Sequence, residues 1–509
     1  MPNDLLFINS TQGSTQNPQR RRAERIRIQS HVQQKRRRAE QRRAAQPWAQ
    51  HSSTIILDGT DEGDEAEEKK PPAVEPLDPG QTAYLTNNTT DPFNATVAAG
   101  DAEAHVLLRS TFYIASRGNF LAEAYAPASV VSSYTRIRHA HIFHARLRHC
   151  VYDETLMYAT LAYSASFWAW MTGSFVQGTR SPEYLLAKAV QSMRQRLSVP
   201  RSQPTDGWLL LSVYSLAITE MWNGHPYLWM KWPERSMHAS QIGANARASS
   251  RVHLNALVKL VAEAGGWHRF DRYILESSLL ADKYLCVLEM TEQPVIPFTW
   301  NDASKLEDVT ELLPGAYNII LPRLASKLCG LSSNSELGIL ISKLAKYIRI
   351  AHFIWRTPQH ISDPVESWLF TELQALTIEF YRTFHDSDQA LDRLICLSIL
   401  SFIFGTMSHP GPRTASRHPT QRARELLIQH GTSLTTEMEE GLTLWVLCTH
   451  AIIPAPCVER EWFKTEVARY LPVGMNGMAL VDILEDYLFL PERQMEVLLS
   501  MFRDLRLAT

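Results

Sequence analysis

The sequence predicts an all-α protein, and two observations carry that prediction. From about residue 101 onward, apolar residues recur at helical spacing in one segment after another. Alternating apolar and polar residues bounded by turns, the mark of a half-buried strand, are scarce. The chain has 509 residues, 45% apolar and 20% charged, which is the globular range. A body of this length can bury a sizeable core. Three parts are expected: a basic arm over 1–47, a disordered linker over 48–100, and a helical domain over 101–509.

The arm comes first. Residues 19–46 contain no Gly or Pro and are rich in Arg, Ala, Gln and Glu, all tolerated in helices, until Pro47 ends the run. Between Arg20 and Arg43 stand eleven Lys/Arg against two Glu, a local charge of +9 in a chain of net charge −2, so the remaining residues carry −11 between them. The cations are Arg20, Arg21, Arg22, Arg25, Arg27, Lys35, Arg36, Arg37, Arg38, Arg42 and Arg43. Two blocks, Arg20–Arg22 and Lys35–Arg38, are separated by twelve residues, the layout of a bipartite nuclear import signal. Import uses charge-assisted contacts to acidic pockets of a receptor. The same charges suit DNA phosphates, which would give salt-dependent, sequence-independent affinity. A solvated basic tail is the plain alternative. A leucine zipper is disfavoured, because Pro47 and an acidic stretch follow the arm instead of a Leu heptad.

The linker holds Asp58, Asp61, Glu62, Asp64, Glu65, Glu67 and Glu68, prolines at 71, 72, 76 and 79, and an Asn/Thr tract. It lacks periodic apolar residues and is expected to be disordered. Its acidic cluster could recruit transcriptional machinery, although a solvated spacer is the simpler reading.

In the body, Ser181-Pro182-Glu183 is a helix start: an N-cap, a proline at the first helical position and early negative charge. Leu186, Ala189, Val190, Met193 and Leu197 follow at helical spacing. Leu254, Leu257, Val258 and Val261 form another stripe, closed by Gly265-Gly266. Further helices are expected near 103–116, 153–171, 207–222, 272–290, 334–355, 364–384, 387–407, 420–430, 436–453, 459–471, 479–489 and 492–505. Leu156–Met171 is uncharged but too short for a confident membrane span, so it is expected as a core helix. No repeat of fixed period is visible.

Several chemistries are weighed and set aside. His139, His141, His144, His149 and Cys150 are ligand types for zinc, but the spacing fits no common module and Arg136, Arg138, Arg146 and Arg148 are interleaved. A partly exposed basic turn or helix is expected there. Asn301-Asp302-Ala303-Ser304 with Glu307 resembles a fragment of the magnesium triad of helical terpene cyclases. The hydroxyl is one position early and the aspartate-rich partner motif is missing from any helical stretch, so an N-cap at Asn301 or Asp302 is expected. Phosphate-loop, dinucleotide, H-E-x-x-H and G-x-S-x-G motifs are absent. The reading is therefore of a non-enzyme without a cofactor. Trp168, Trp170, Trp208, Trp222, Trp229 and Trp232 are expected as core. Six scattered cysteines, without a C-x-x-C pair or a secretory signal, read as reduced thiols, so the sequons at Asn9, Asn87, Asn88 and Asn94 carry no weight.

Phe7-Ile8-Asn9, a polar spacer, and Ile28-Gln29-Ser30-His31-Val32 leading into Lys35–Arg38 resemble the N-terminus of a large group of fungal transcription-factor-like proteins. The Ser181–Leu197 helix is similar to that group's A-x-x-x-I/V-x-x-x-L stripe. Arg251-Val252-His253-Leu254 through Gly265-Gly266 resembles its H-L-x-G-L-x-x-L-V-x-x-x-G-G element. Thr443-Leu444-Trp445, Glu459–Phe463 and Val481–Leu490 resemble its C-terminal helices. The group is the fungal-specific transcription factor domain, a helical regulatory region often paired with a zinc binuclear cluster. The chain lacks the six-cysteine set that such a cluster needs, as relatives with this N-terminal pattern commonly do. The resemblance implies a nuclear regulator of pathway genes, secondary-metabolite clusters among them. Its body would be regulatory, dimerising or effector-sensing. The expected partners are a nuclear import receptor, other transcriptional proteins and DNA through the arm, with no membrane. The other reading kept open is a helical cofactor that binds no DNA and is recruited to promoters by a partner protein.

Overall fold

The computed structural model describes residues 107–108, 124–126, 139–172, 181–198, 205–223, 237–290, 293–296, 319–331, 336–356, 361–407, 415–454, 457–472 and 474–507. Among these residues there are helices and turns and no strand. The all-α prediction holds for them. The arm, the linker, most of the 103–116 helix and the Asn301–Glu307 segment lie outside the described residues.

Among the described residues, fifteen α-helices follow one another: α1 (Ala140–Cys150), α2 (Glu154–Thr172), α3 (Pro182–Ser198), α4 (Gly207–Asn223), α5 (Met237–Glu263), α6 (Arg272–Glu289), α7 (Ser326–Leu331), α8 (Glu336–Ile354), α9 (Asp363–Asp386), α10 (Ala390–Phe402), α11 (Arg417–Glu437), α12 (Glu440–Ala451), α13 (Val458–Tyr470), α14 (Gly477–Leu484) and α15 (Pro491–Leu507). Among them α4, α10 and α12 are interior helices. The apolar residues of α4 leave no polar face, and it is buried from Gly207 to Thr219. It packs against α2 and α5. The second half is built around α10 and α12, buried over Leu394–Phe402 and Leu442–Ala451. Such sequences fold as interior helices because they have no polar side to give to water. α6 joins the halves, packing against α4 and α5 on one side and α9 and α11 on the other. The apolar side chains form one continuous core.

Local signals explain the boundaries. The Ser181 hydroxyl accepts the Tyr184 N–H at 3.2 Å and caps α3. α5 ends in a Schellman turn: Gly265 N–H reaches Ala262 O at 3.0 Å and Gly266 N–H reaches Val261 O at 2.9 Å. Gly265 and Gly266 have φ of +99° and +110°, which a side chain would strain. Leu156–Met171 falls within α2, whose Leu156, Ala159, Ala162 and Phe167 are completely buried, as expected of a core helix. No helix among the described residues is long and apolar enough to cross a membrane.

Some expectations need correction. α5 begins at Met237, well before the 254–261 stripe. α11 begins at Arg417, ahead of Pro419 rather than after it, because proline is tolerated in a first turn. The helix expected over 387–407 is α10 followed by a single π turn, Ile403–Met407. α14 stops at Leu484, and Tyr487–Leu490 cross the core outside a regular helix. The stripe of α3 is rotated: Leu185, Ala189, Ser192 and Met193 are buried, whereas Leu186 and Val190 are half-buried and Leu197 is exposed.

Candidate functional site

The residues with the strongest sequence signal, Arg20 to Arg43, lie outside the described residues. The site must therefore be built from the body.

The histidine-rich segment becomes α1, and three of its four histidines are tied to protein groups. His139, left-handed at φ 60°, starts the helix. Its Nε2 lies 2.7 Å from Glu276 Oε2, and Glu276 is completely buried. Glu276 Oε1 also accepts from Arg272 Nε at 3.0 Å and from the Ser367 hydroxyl at 3.1 Å. His141 Nε2 lies 2.6 Å from Asp271 Oδ2, and Asp271 also caps α6 through the Tyr273 N–H. The hydrogen bond its ring donates to the Asp271 carboxylate raises the His141 pKa. His149 stacks on Trp208 with ring centroids 4.0 Å apart, and His144 is exposed. One expectation fails: Arg146 is not a surface cation but completely buried. Its guanidinium donates to the Thr160 hydroxyl at 3.0 Å and to the Ser215 hydroxyl, and lies 5.6 Å from the Tyr163 ring centre. Helical spacing explains this: Ile142, Phe143 and Arg146 share the face turned to α2 and α4. Among the described residues, no group of three or more His, Cys, Asp or Glu is placed to hold a metal ion.

A serine–histidine contact occurs in the second half. His450 Nε2 is 3.1 Å from Ser398 Oγ, and Nδ1 is 2.9 Å from Thr420 Oγ1. A nucleophile needs a base oriented by a third group and an approach for substrate. Here both ring partners are hydroxyls, the Ser398 hydroxyl also contacts Leu394 O at 2.9 Å, and His450 is completely buried. Burial lowers its pKa to about 3, so the ring is neutral. It stacks on Phe463 at 4.7 Å. The group staples α10, α11 and α12 together. Single polar residues within apolar runs gave the sequence reading no signal for it.

The body also contains an open apolar site. A groove of about 440 Å³ runs between α3, α4 and α5. Leu209, Val213 and Leu216 of α4 form its floor. Val190, Met193, Arg194 and Leu197 of α3 form one wall, and His253, Ala256, Lys259, Leu260 and Glu263 of α5 the other. The surplus apolar residues of α3 explain it. Val190, which also packs against the core, and Leu197, which is exposed, line the groove. Its volume falls in the range of small-ligand pockets.

No family model, curated protein or solved structure matches the chain. The likeness to the fungal transcription factor domain therefore rests on the residues quoted for it.

Proposed function

We propose that the protein is a nuclear regulator of transcription. The arm would engage an import receptor and make nonspecific phosphate contacts, and the helical body would serve as a regulatory, dimerising and effector-sensing platform. This reading assigns it no enzymatic activity. The observation that carries it is the paired basic blocks Arg20–Arg22 and Lys35–Arg38 ahead of an all-α body. The groove supports the effector-sensing part, because a small-ligand site between helices is where such control is placed. Replacing Lys35, Arg36, Arg37 and Arg38 together by Ala in a tagged full-length protein should shift it from nucleus to cytoplasm. An unchanged nuclear signal would end the import assignment.

The second reading is a promoter-bound cofactor held by a partner protein. It is favoured by one observation: the six cysteines are far apart, and Cys150, Cys286, Cys396 and Cys448 are buried as free thiols, so no zinc cluster reads bases through them. Duplex binding by the full chain discriminates between the readings. Phosphate contact through the arm predicts affinity that falls by about 10³ or more between roughly 50 and 200 mM salt. No binding at low salt favours the cofactor.

A further inference from the structure

We propose that the groove between α3, α4 and α5 binds a short amphipathic carboxylate, an apolar tail with one acidic head. This names the ligand class for the effector-sensing role given to the body above, and rests on that reading.

The register of the three helices places the charges. Arg196 near the end of α3 pairs with Asp206 at the start of α4, at 3.3 Å. The Ser250 hydroxyl of α5 donates to Ala217 O in the second half of α4, at 2.6 Å. α3 and α5 therefore run side by side in the same direction, both opposite to α4. Leu197 and Glu263 share one end of the groove, and Val190 and His253 share the other. Arg194 and Lys259 stand on opposite walls, each a little over halfway along its own wall.

Arg194 and Lys259 are exposed, and neither makes an ion pair or side-chain hydrogen bond with a described residue. Two cations over an apolar floor fit one carboxylate lying between them. The far end, at Val190, Leu216 and His253, is suited to a tail, and burial lowers the His253 pKa so that the ring there is neutral. At about 1.5 Å per residue, the α3 wall is about 10 Å long and the α5 wall about 15 Å. Walls of only about two to three turns that carry one pair of free cations suit a small molecule with a single acid group.

The test titrates the full-length protein calorimetrically with octanoic acid, a medium-chain carboxylate, and with its methyl ester. Saturable binding of one equivalent of acid is expected, with the ester weaker by about tenfold or more. Combining Arg194→Ala with Lys259→Ala, at two exposed positions, should weaken the acid by about tenfold and leave the ester unchanged. Ala256→Trp, also at an exposed position, should block both ligands, with circular dichroism and thermal midpoint reporting an intact fold. Equal binding of acid and ester would overturn the proposal. So would wild-type affinity in the double variant, or undiminished binding of both probes by a folded Ala256→Trp protein. Displacement of the probe by an acidic amphipathic helical peptide at equal or lower concentration would also overturn it. Probe binding and nuclear entry are read in separate assays, so each can fail without the other.

Discussion

Asp282→Leu is expected to lower the unfolding free energy by about 3–5 kcal/mol, and Asp282→Asn by about 1–2 kcal/mol. Asp282 is completely buried on α6. Its two oxygens accept the backbone N–H groups of Val295 and Ile296 at 3.0 and 2.8 Å. Burial raises the carboxyl pKa, opposed by those two amides and by the Arg251 guanidinium nearby. Leucine has nearly the right volume, so little of the loss would come from a cavity. It would come from two amides stripped of their acceptor and from Arg251 deprived of a nearby anion. Asparagine keeps one acceptor oxygen, which is why its cost is smaller. The segment held by Asp282 also receives Arg251, whose Nη1 donates to Gln293 O at 3.0 Å. That links α6 to α5, the second wall of the groove. Urea unfolding at fixed pH, with the slope monitored alongside the midpoint, measures the loss. A leucine variant within about 1 kcal/mol of wild type would mean that the amides find other acceptors.

The elements most legible in the sequence were those whose signals are local and covalent in origin. Ser181 and Gly265-Gly266 declare a helix start and stop by their own backbone chemistry, and the structure uses both. The apolar run at Leu156–Met171 left no polar face, so an interior helix was its only low-cost place. What was not legible depends on neighbours distant in sequence. Arg146 reads as one more surface cation until α2 and α4 supply Thr160, Ser215 and Tyr163 around it. Leu197 reads as core because helical period alone cannot say how far a stripe is covered. Whether α5 reaches across to close over it is a tertiary matter, and it does not, which leaves the groove. The polar staple at His450 unites residues 30 and 52 positions apart from it, a pairing no periodicity marks. The basic arm is the reverse case. Its charge pattern is the clearest functional signal in the chain, and it lies outside the described residues.

His450→Gln should separate hydrogen bonding from proton linkage in the second half of the core. At pH 7.5 the variant is expected to be less stable by about 1–3 kcal/mol, because glutamine cannot serve both hydroxyls in the ring's geometry and loses its stack. The partners lost are Ser398, Thr420 and Phe463. That deficit should shrink on acidification. Burial lowers the folded pKa of His450 to about 3, whereas an unfolded histidine titrates near 6.5. Between these values the unfolded chain binds the extra proton. The contribution of the neutral ring is therefore complete above about pH 6.5 and declines as pH falls, by up to about 1.4 kcal/mol per unit. By pH 5 the wild type should have lost about 2 kcal/mol that the variant never had to lose. His418, lowered to about 4 by burial and by Arg417, Arg247 and Arg422, contributes with the same sign. Glu220 and Glu372, raised to about 7 chiefly by burial, act oppositely, adding stability at acid pH that is lost as pH rises. All three groups remain in both proteins, so the difference between the two stability curves isolates His450. Urea midpoints at pH 7.5, 6.5 and 5 would show the curves converging. Parallel curves would mean that His450 takes up its proton in the folded protein as readily as in the unfolded chain, and that water reaches the junction of α10, α11 and α12.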